Sequence, residues 1–127
     1  MSTIIATTLS NGSVSVPTAT VVNGSAKAWA NLNGQGTIAL RDSFNVSSVS
    51  DLATGTYDFN FTNAMSDANY GRNAASITYS GVNLLIAGSA EEQSANLATR
   101  TRCYGFTQSI GASDREQVPI AVFGDLA

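Results

Sequence analysis

Tyr57-Asp58-Phe59-Asn60-Phe61 sets an aromatic ring at every second position and a carboxylate or an amide between them. In an extended chain, successive side chains point to opposite faces, so the three rings share one face. In a helix the same residues would fan around the axis and bury little together. The stretch therefore predicts a strand with one apolar face, preceded by Gly55 and followed by a polar run from Asn63. It constrains architecture and is silent on chemistry.

The same period recurs along the chain. Thr3 to Leu9 is rich in β-branched residues, Ser10-Asn11-Gly12-Ser13 is a turn signal, and Val14 and Val16 resume the alternation. These residues suit a small hairpin or an extended arm that crosses onto another subunit. Pro17 ends that strand or restricts it to an edge. Thr18 to Val22 reads as a further strand before the turn Asn23-Gly24-Ser25. Ala28, Ala30 and Leu32 line one face of the next segment, where small side chains leave room for another layer. Asn33-Gly34-Gln35-Gly36 then turns the chain into Thr37 to Ser43, with Ile38 and Leu40 on a common face. An antiparallel hairpin of 27–33 with 37–43 follows. Phe44, Val46 and Ser48 fall on one side of the next strand, and Ser50 to Gly55 reads as a turn. Residues 46–49 with 56–61 make a second hairpin, and two hairpins in sequence suggest a meander.

Asn63 to Tyr70 is too short and too rich in Asn, Asp and Ser for a helix. Gly71-Arg72-Asn73 reads as loop. Strands are expected over 76–79, 82–87, 101–107 and 118–124, and Pro119 places the last of them at an edge or beside a bulge. Residues 88–100 suit a short helix begun at Glu91-Glu92-Gln93 about as well as a loop. Some seven to nine short strands and at most one short helix give the expected class: all-β, an antiparallel sandwich or small barrel with short hairpins.

Charge narrows the function classes. The chain has 127 residues, the size of one domain, and only 12% are charged. That is about half the usual share. Polarity comes instead from 16 Ser, 13 Thr and 11 Asn. Such a surface suits loop-rich β architecture, or one largely covered by sister chains. The net charge of −3 and the recurrent apolar residues argue against disorder. Lys27 is the only lysine and no basic run exists, which argues against nucleic acid as a partner. The absence of an apolar run of about 18 residues argues against membrane insertion by a helix. No basic n-region with a long apolar segment opens the chain, so synthesis in the cytoplasm is expected, with later assembly into an extracellular particle left open.

No set of residues with the composition of an active site emerges. Histidine is absent, which removes histidine triads and the common zinc arrangements. Cys103 stands alone and reads as a small buried hydrophobe. Asp67 and Asn69 resemble a fragment of a calcium loop whose other ligands are out of register, and they read as caps of their own backbone. Glu91, Glu92 and Glu116 would serve a glycosidase only if two faced each other across a cleft. No catalytic, cofactor-binding or metal residue is therefore assigned, and no cofactor is expected. Asn11, Asn23, Asn45 and Asn60 begin Asn-x-Ser/Thr matches that chance explains in this composition. Trp29 and Tyr70 suit sugar stacking less well than core or interface roles. Arg41 and Asp42 are candidates for an inter-strand or intersubunit ion pair.

Lys27-Ala-Trp-Ala-Asn-Leu-Asn-Gly-Gln-Gly-Thr-Ile-Ala-Leu-Arg-Asp-Ser-Phe-Asn-Val-Ser-Ser-Val49, Gly55-Thr-Tyr-Asp-Phe-Asn-Phe-Thr62 and Met65-Ser-Asp-Ala-Asn-Tyr70 together resemble a segment of small structural and fibre-like proteins of tailed bacteriophages, especially phages of aquatic bacteria. The resemblance covers 26–70 well and Ala121-Val-Phe-Gly124 more loosely, and the opening residues look like a fibre attachment region. It implies a virion structural protein, a tail fibre or receptor-binding module assembled as a homotrimer. Residues 1–22 would be an N-terminal arm or attachment segment and 23–127 a β-rich domain. It implies other virion proteins as partners, and a host surface glycan or receptor bound through the loops 63–73 and 88–99. A capsid decoration (cement) protein or head fibre is the alternative, and an enzyme is not expected.

Overall fold

The computed structural model describes residues 3, 5–76, 85–86, 96–104, 106–107 and 111–127. In chain order the elements are β1 (Thr8–Ser10), β2 (Ser15–Pro17), α1 (Thr18–Gly24), β3 (Ala28–Asn33), β4 (Ala39–Phe44), β5 (Val46–Ala53) and β6 (Thr56–Phe61). They continue as β7 (Gly71–Ser76), β8 (Leu85–Ile86), β9 (Arg100–Tyr104), β10 (Phe106–Thr107), β11 (Gly111–Ala112) and β12 (Val118–Phe123). The structure is thus mostly antiparallel strand with one short helix. A five-stranded sheet runs β4-β3-β12-β7-β8 and a three-stranded sheet runs β5-β6-β9, with β1-β2 and β10-β11 as separate two-stranded pairs.

The alternation at Tyr57–Phe61 is realised in β6, whose three rings are all buried. Phe59, at 0% exposure, faces neighbours on both sides, opposite Val49 of β5 and Thr101 of β9. Ala28, Ala30 and Leu32 of β3 and Val118, Ile120 and Val122 of β12 join the same buried cluster, with Val46 and Cys103 from the smaller sheet. One apolar core therefore draws on both sheets. The small alanines of β3 share this cluster with the rings of the other sheet, and such packing depends on volume matching.

Asn45 carries the chain from the larger sheet to the smaller one. Its φ of 56° lies in the left-handed region, which asparagine tolerates better than other residues with a β-carbon. The side chain secures the corner. Asn45 Oδ1 accepts from Asn63 N at 2.7 Å, and Nδ2 donates to Lys27 O at 3.0 Å and Asn63 O at 3.1 Å.

Two of the three register shifts in the hairpins β3–β4 and β5–β6 change which of their residues face inward; the third lies at Leu52, at the end of β5. Leu32 pairs with Leu40 while Asn31 pairs with Asp42, so Arg41 is an extra residue in β4. One inserted residue flips the faces of everything beyond it. Leu40 therefore packs on the core, but Phe44 emerges on the outer face opposite Trp29. Ser47 is the corresponding extra residue in β5, between the pairs Val46–Phe61 and Ser48–Asn60. Hence Phe44, Val46 and Ser48 do not share a side as the alternation suggested: Val46 is buried, Phe44 is exposed.

Several expectations are met and several need correction. The first hairpin exists as β1–β2, and the hairpins β3–β4 and β5–β6 form as expected. The last two do not make a meander, because they belong to different sheets. β5 runs on to Ala53, so much of the expected turn at Ser50–Gly55 is strand. Thr18 to Val22 is helical, not extended. The two-stranded arm offers no third partner there, and a helix satisfies its own backbone donors. Thr18 N and Oγ1 also turn back onto Thr7 O and Ala6 O, at 2.9 and 2.7 Å.

Gly71-Arg72-Asn73 opens strand β7 rather than forming loop, because it lines the free edge of β12. Pro119 lies in the central strand of the larger sheet, not at its edge. It is tolerated because the β7 ladder begins only at Ile120, leaving β3 as the one partner at that position. The expected strand over 76–79 lies beyond its first residue outside the described residues. Of 82–87 only β8 is described.

Candidate functional site

The outer faces of the two sheets differ in chemistry. On the smaller sheet, Asp58 and Asn60 point away from the core, as their place between the rings requires. Arg100 and Arg102 are two residues apart on β9 and so fall on that same face. Arg102 Nε reaches Asp58 Oδ1 at 2.6 Å and Arg100 Nη1 reaches Asp58 Oδ2 at 2.8 Å. A second bond, from Arg102 Nη2 to Asp58 Oδ2 at 2.9 Å, makes the Arg102 contact a fork. The two guanidinium groups leave the carboxylate buried. Beside them Asn60 Nδ2 donates to Ser48 Oγ and Ser50 Oγ at 3.1 and 3.3 Å. This face is tied up within the protomer.

Polar groups also link the sheets. Tyr57 Oη donates to Asp114 Oδ1 at 2.9 Å or Gly34 O at 3.0 Å, and Gly55 N donates to Asp114 Oδ1 at 2.7 Å. Gly34 is required here, since a β-carbon would lie 2.5 Å from Tyr57 Oη and 2.9 Å from Arg115 O. Burial, and then the Asp114 carboxylate, push the Tyr57 hydroxyl well above its ordinary range. Arg72 reaches from β7 to Thr101 Oγ1 at 3.2 Å and Asn96 Oδ1 at 3.1 Å, and also donates to Arg102 O.

The roots of the two candidate recognition loops lie together. Met65 N donates to Ala98 O at 2.7 Å, and Tyr70 Oη donates to Arg100 O at 2.6 Å. Ser66 N donates to Asp125 O at 2.8 Å, which brings the C-terminal residues alongside. Ser66 to Asn69 are exposed, as is Leu97. Residues 88–95 of the second loop, with Glu91 and Glu92, lie outside the described residues.

The larger sheet turns a different face outward. Trp29 and Phe44 are cross-strand partners and are 39% and 52% exposed. Ala121 stands directly opposite Trp29 on the other side, with Pro119 and Phe123 two residues away on the same face of β12. These five apolar side chains run across three adjacent strands.

Cys103 is free and buried, and burial pushes its thiol up to about 12, so the nucleophilic thiolate is suppressed. Asp67 Oδ1 accepts from Asn69 N at 2.7 Å and Oδ2 from Asn69 Nδ2 at 3.1 Å, which is the backbone-capping arrangement. Among the described residues no group of three His, Cys, Asp or Glu side chains could hold a metal ion. Glu116 is half-buried. Trp29 and Tyr70 are not neighbours on a surface: Tyr70 is a core residue, edge-on to Phe61 at 5.8 Å.

Among the described residues Arg41 and Asp42 form no ion pair within the chain. Arg41 Nη2 leans on Asn33 Oδ1 at 3.4 Å, and Asp42 Oδ1 accepts from Ser43 N at 2.8 Å. Among the described residues the ion pairs are Asp58 with Arg100 and Arg102. The signal for these was present, an Arg-x-Arg step in one alternating segment and an aspartate on the outward face of another. Their pairing depends on β9 lying beside β6, which neither segment specifies. Of the Asn-x-Ser/Thr positions, Asn45 and Asn60 have their side chains engaged as described, and Asn11 Oδ1 accepts from Ser13 N and Val14 N at 3.0 and 2.8 Å.

Comparison with protein-family models, with curated proteins and with solved structures gives no match.

Proposed function

We propose that the chain is a structural protein of a tailed-phage virion, a tail fibre or receptor-binding module that assembles as a homotrimer. The observation that carries the reading is the exposed pair Trp29 and Phe44 on the larger sheet, with the half-buried Pro119, Ala121 and Phe123 beside them on the same face. Apolar side chains adjoining across three strands are the mark of a surface that meets another protein. The resembling segments supply most of the elements around it, β3 to β6. The two main sheets are read as the layers of an antiparallel sandwich, which holds that face outward. Recognition of a host surface glycan or receptor falls to the loop cluster at Ser66–Asn69 and Leu97–Thr99, since polar loops on a rigid scaffold commonly carry binding. The chain is read as non-enzymatic.

The test is adsorption of the purified protein to cells of the host and competition with infection. Saturable adsorption and a block of infection are expected. Failure on every host strain that the phage infects would overturn the receptor-binding reading.

A further inference from the structure

We infer, independently of the proposed assembly, that Asn11 in the turn between β1 and β2 is a self-modifying site. The backbone nitrogen of Gly12 attacks its side-chain amide, and the residue converts through a succinimide to aspartate or isoaspartate.

The chain holds three Asn-Gly steps, beginning at Asn11, Asn23 and Asn33. Glycine suits the reaction because no β-carbon shields its nitrogen and its backbone adjusts freely. The structure separates the three steps. At Asn33 the side chain is engaged, with Nδ2 donating to Gln35 O at 3.1 Å, and Gly34 N donates to Arg115 O at 2.8 Å. Gly34 also lies against the Tyr57 ring, so the backbone there has no room to turn. Asn23 and Gly24 are the last two residues of helix α1, where a backbone nitrogen is committed to the helical ladder.

At Asn11 the side chain folds back over its own turn. Oδ1 accepts from Ser13 N and Val14 N at 3.0 and 2.8 Å. This holds Cγ beside the turn backbone, where a five-membered ring with Gly12 N closes. The same two donors face the oxygen that gains charge as the amide carbon becomes tetrahedral, the arrangement of an oxyanion hole. Gly12 N donates to Ser10 Oγ at 3.1 Å, so the proton to be lost already points at an exposed acceptor. Gly12 has a φ of 94°, and a β-carbon there would meet nothing within 4 Å, so the turn is open to solvent. The arm has no core beneath it: α1 buries no residue, and Leu9 and Val14 are exposed. A lone two-stranded hairpin of this kind opens at little cost.

The chemistry needs only water. Solvent hydroxide takes the Gly12 N–H proton by way of Ser10 Oγ. The nitrogen lone pair forms a bond to Asn11 Cγ, the Cγ–Nδ2 bond breaks, and Nδ2 leaves as ammonia after taking a proton from water, which restores the hydroxide. A second water opens the ring. Addition at Cγ gives aspartate, and addition at the Asn11 backbone carbonyl carbon gives isoaspartate. The aspartate product fits the turn, since both hydrogen bonds above fall on Oδ1 and a carboxylate strengthens them. Residues 5–24 otherwise contain no charged side chain, so conversion gives the arm its first one.

The experiment incubates the folded full chain at mildly alkaline pH. Native isoelectric focusing follows its charge, and peptide mass mapping with isoaspartate detection locates the change. Expected is an acidic shift that grows with time and with pH, with the amide-to-acid mass gain at Asn11 severalfold ahead of Asn23 and Asn33. In urea the three rates should converge, because the fold supplies the selectivity. Asn11→Gln, at an exposed position, should remove the early shift, and Ser10→Ala should slow it while conversion at Asn23 serves as the internal reference. Conversion led by Asn23 or Asn33 in the folded chain, or an early shift undiminished in Asn11→Gln, overturns the site. An Asn11 lead equally large in urea would show that the fold does not select it and overturns the assignment. An unchanged rate in Ser10→Ala overturns the role given to Ser10 Oγ.

Discussion

Phe59 stands where both neighbours of β6 converge, and its ring is wholly removed from solvent. Replacing it with alanine should cost about 3–5 kcal/mol, the transfer free energy of the ring plus that of the cavity left behind. Urea denaturation checks this, and a loss under about 1 kcal/mol would mean that β6 does not centre the core. Arg115 presents the opposite case. It is 2% exposed, and its Nε and Nη2 have no acceptor. A buried donor without a partner is a cost, larger when charged. Arg115→Met is therefore expected to stabilise the isolated chain by about 1–3 kcal/mol. A lower Tm for the variant would contradict this.

Titration adds a pH dependence at the same scale. The Cys103 thiol is raised from 9.0 to about 12, chiefly by burial. Burial also raises the Tyr57 and Tyr70 hydroxyls. For each group the unfolded chain releases its proton at lower pH than the folded one. The folded state therefore binds more protons above about pH 9, and stability falls as pH rises through that range. Below about pH 9 these contributions are present in full. Urea midpoints measured between about pH 8 and pH 10.5 should decline, and Cys103→Ala should make the decline shallower. An unchanged slope in the variant would show that the thiol is not the buried group described.

At the scale of elements, Asn45 decides how the two principal hairpins are distributed. Its left-handed backbone and three-way side-chain clasp turn the chain from β4 into β5. Asn45→Ala should lose about 2–3 kcal/mol, from backbone strain and from the lost hydrogen bonds. Asn45→Gly should lose less, since glycine adopts that φ freely. Thermal melts of the two variants compare them, and equal losses would remove the backbone from the explanation.

Local alternation made β3 and β6 legible, together with their inward residues, because period two is a property of the segment itself. The bulges at Arg41 and Ser47 were not legible. Each is defined by the register against a partner strand, and each reverses the face on which Phe44 or Val49 appears. Pro119 misled for a related reason: proline excludes a ladder bond on one side, and which side is occupied depends on where β7 begins. Thr18–Val22 has β-branched composition, but the arm gives it no third strand to join. The outward apolar row is the clearest case. Trp29, Phe44 and Ala121 lie far apart in the chain and become neighbours only once β4, β3 and β12 are side by side.

For the whole molecule, a buried core drawn from both sheets coexists with an apolar face and a coreless arm. The ion pairs of Asp58 with Arg100 and Arg102 lie on the smaller sheet, while the Trp29–Phe44 pair lies on the larger one with Asp42 beside it. A surface of this kind fits a chain that works inside an assembly, where neighbours complete its burial. The most direct test is the position and copy number of the chain in the assembled particle, by immunogold labelling and a particle map. Tail location with copies in multiples of three is the expected result. Stoichiometric occupancy of the capsid lattice would contradict it in favour of a decoration protein, and absence from the particle would contradict the virion assignment altogether.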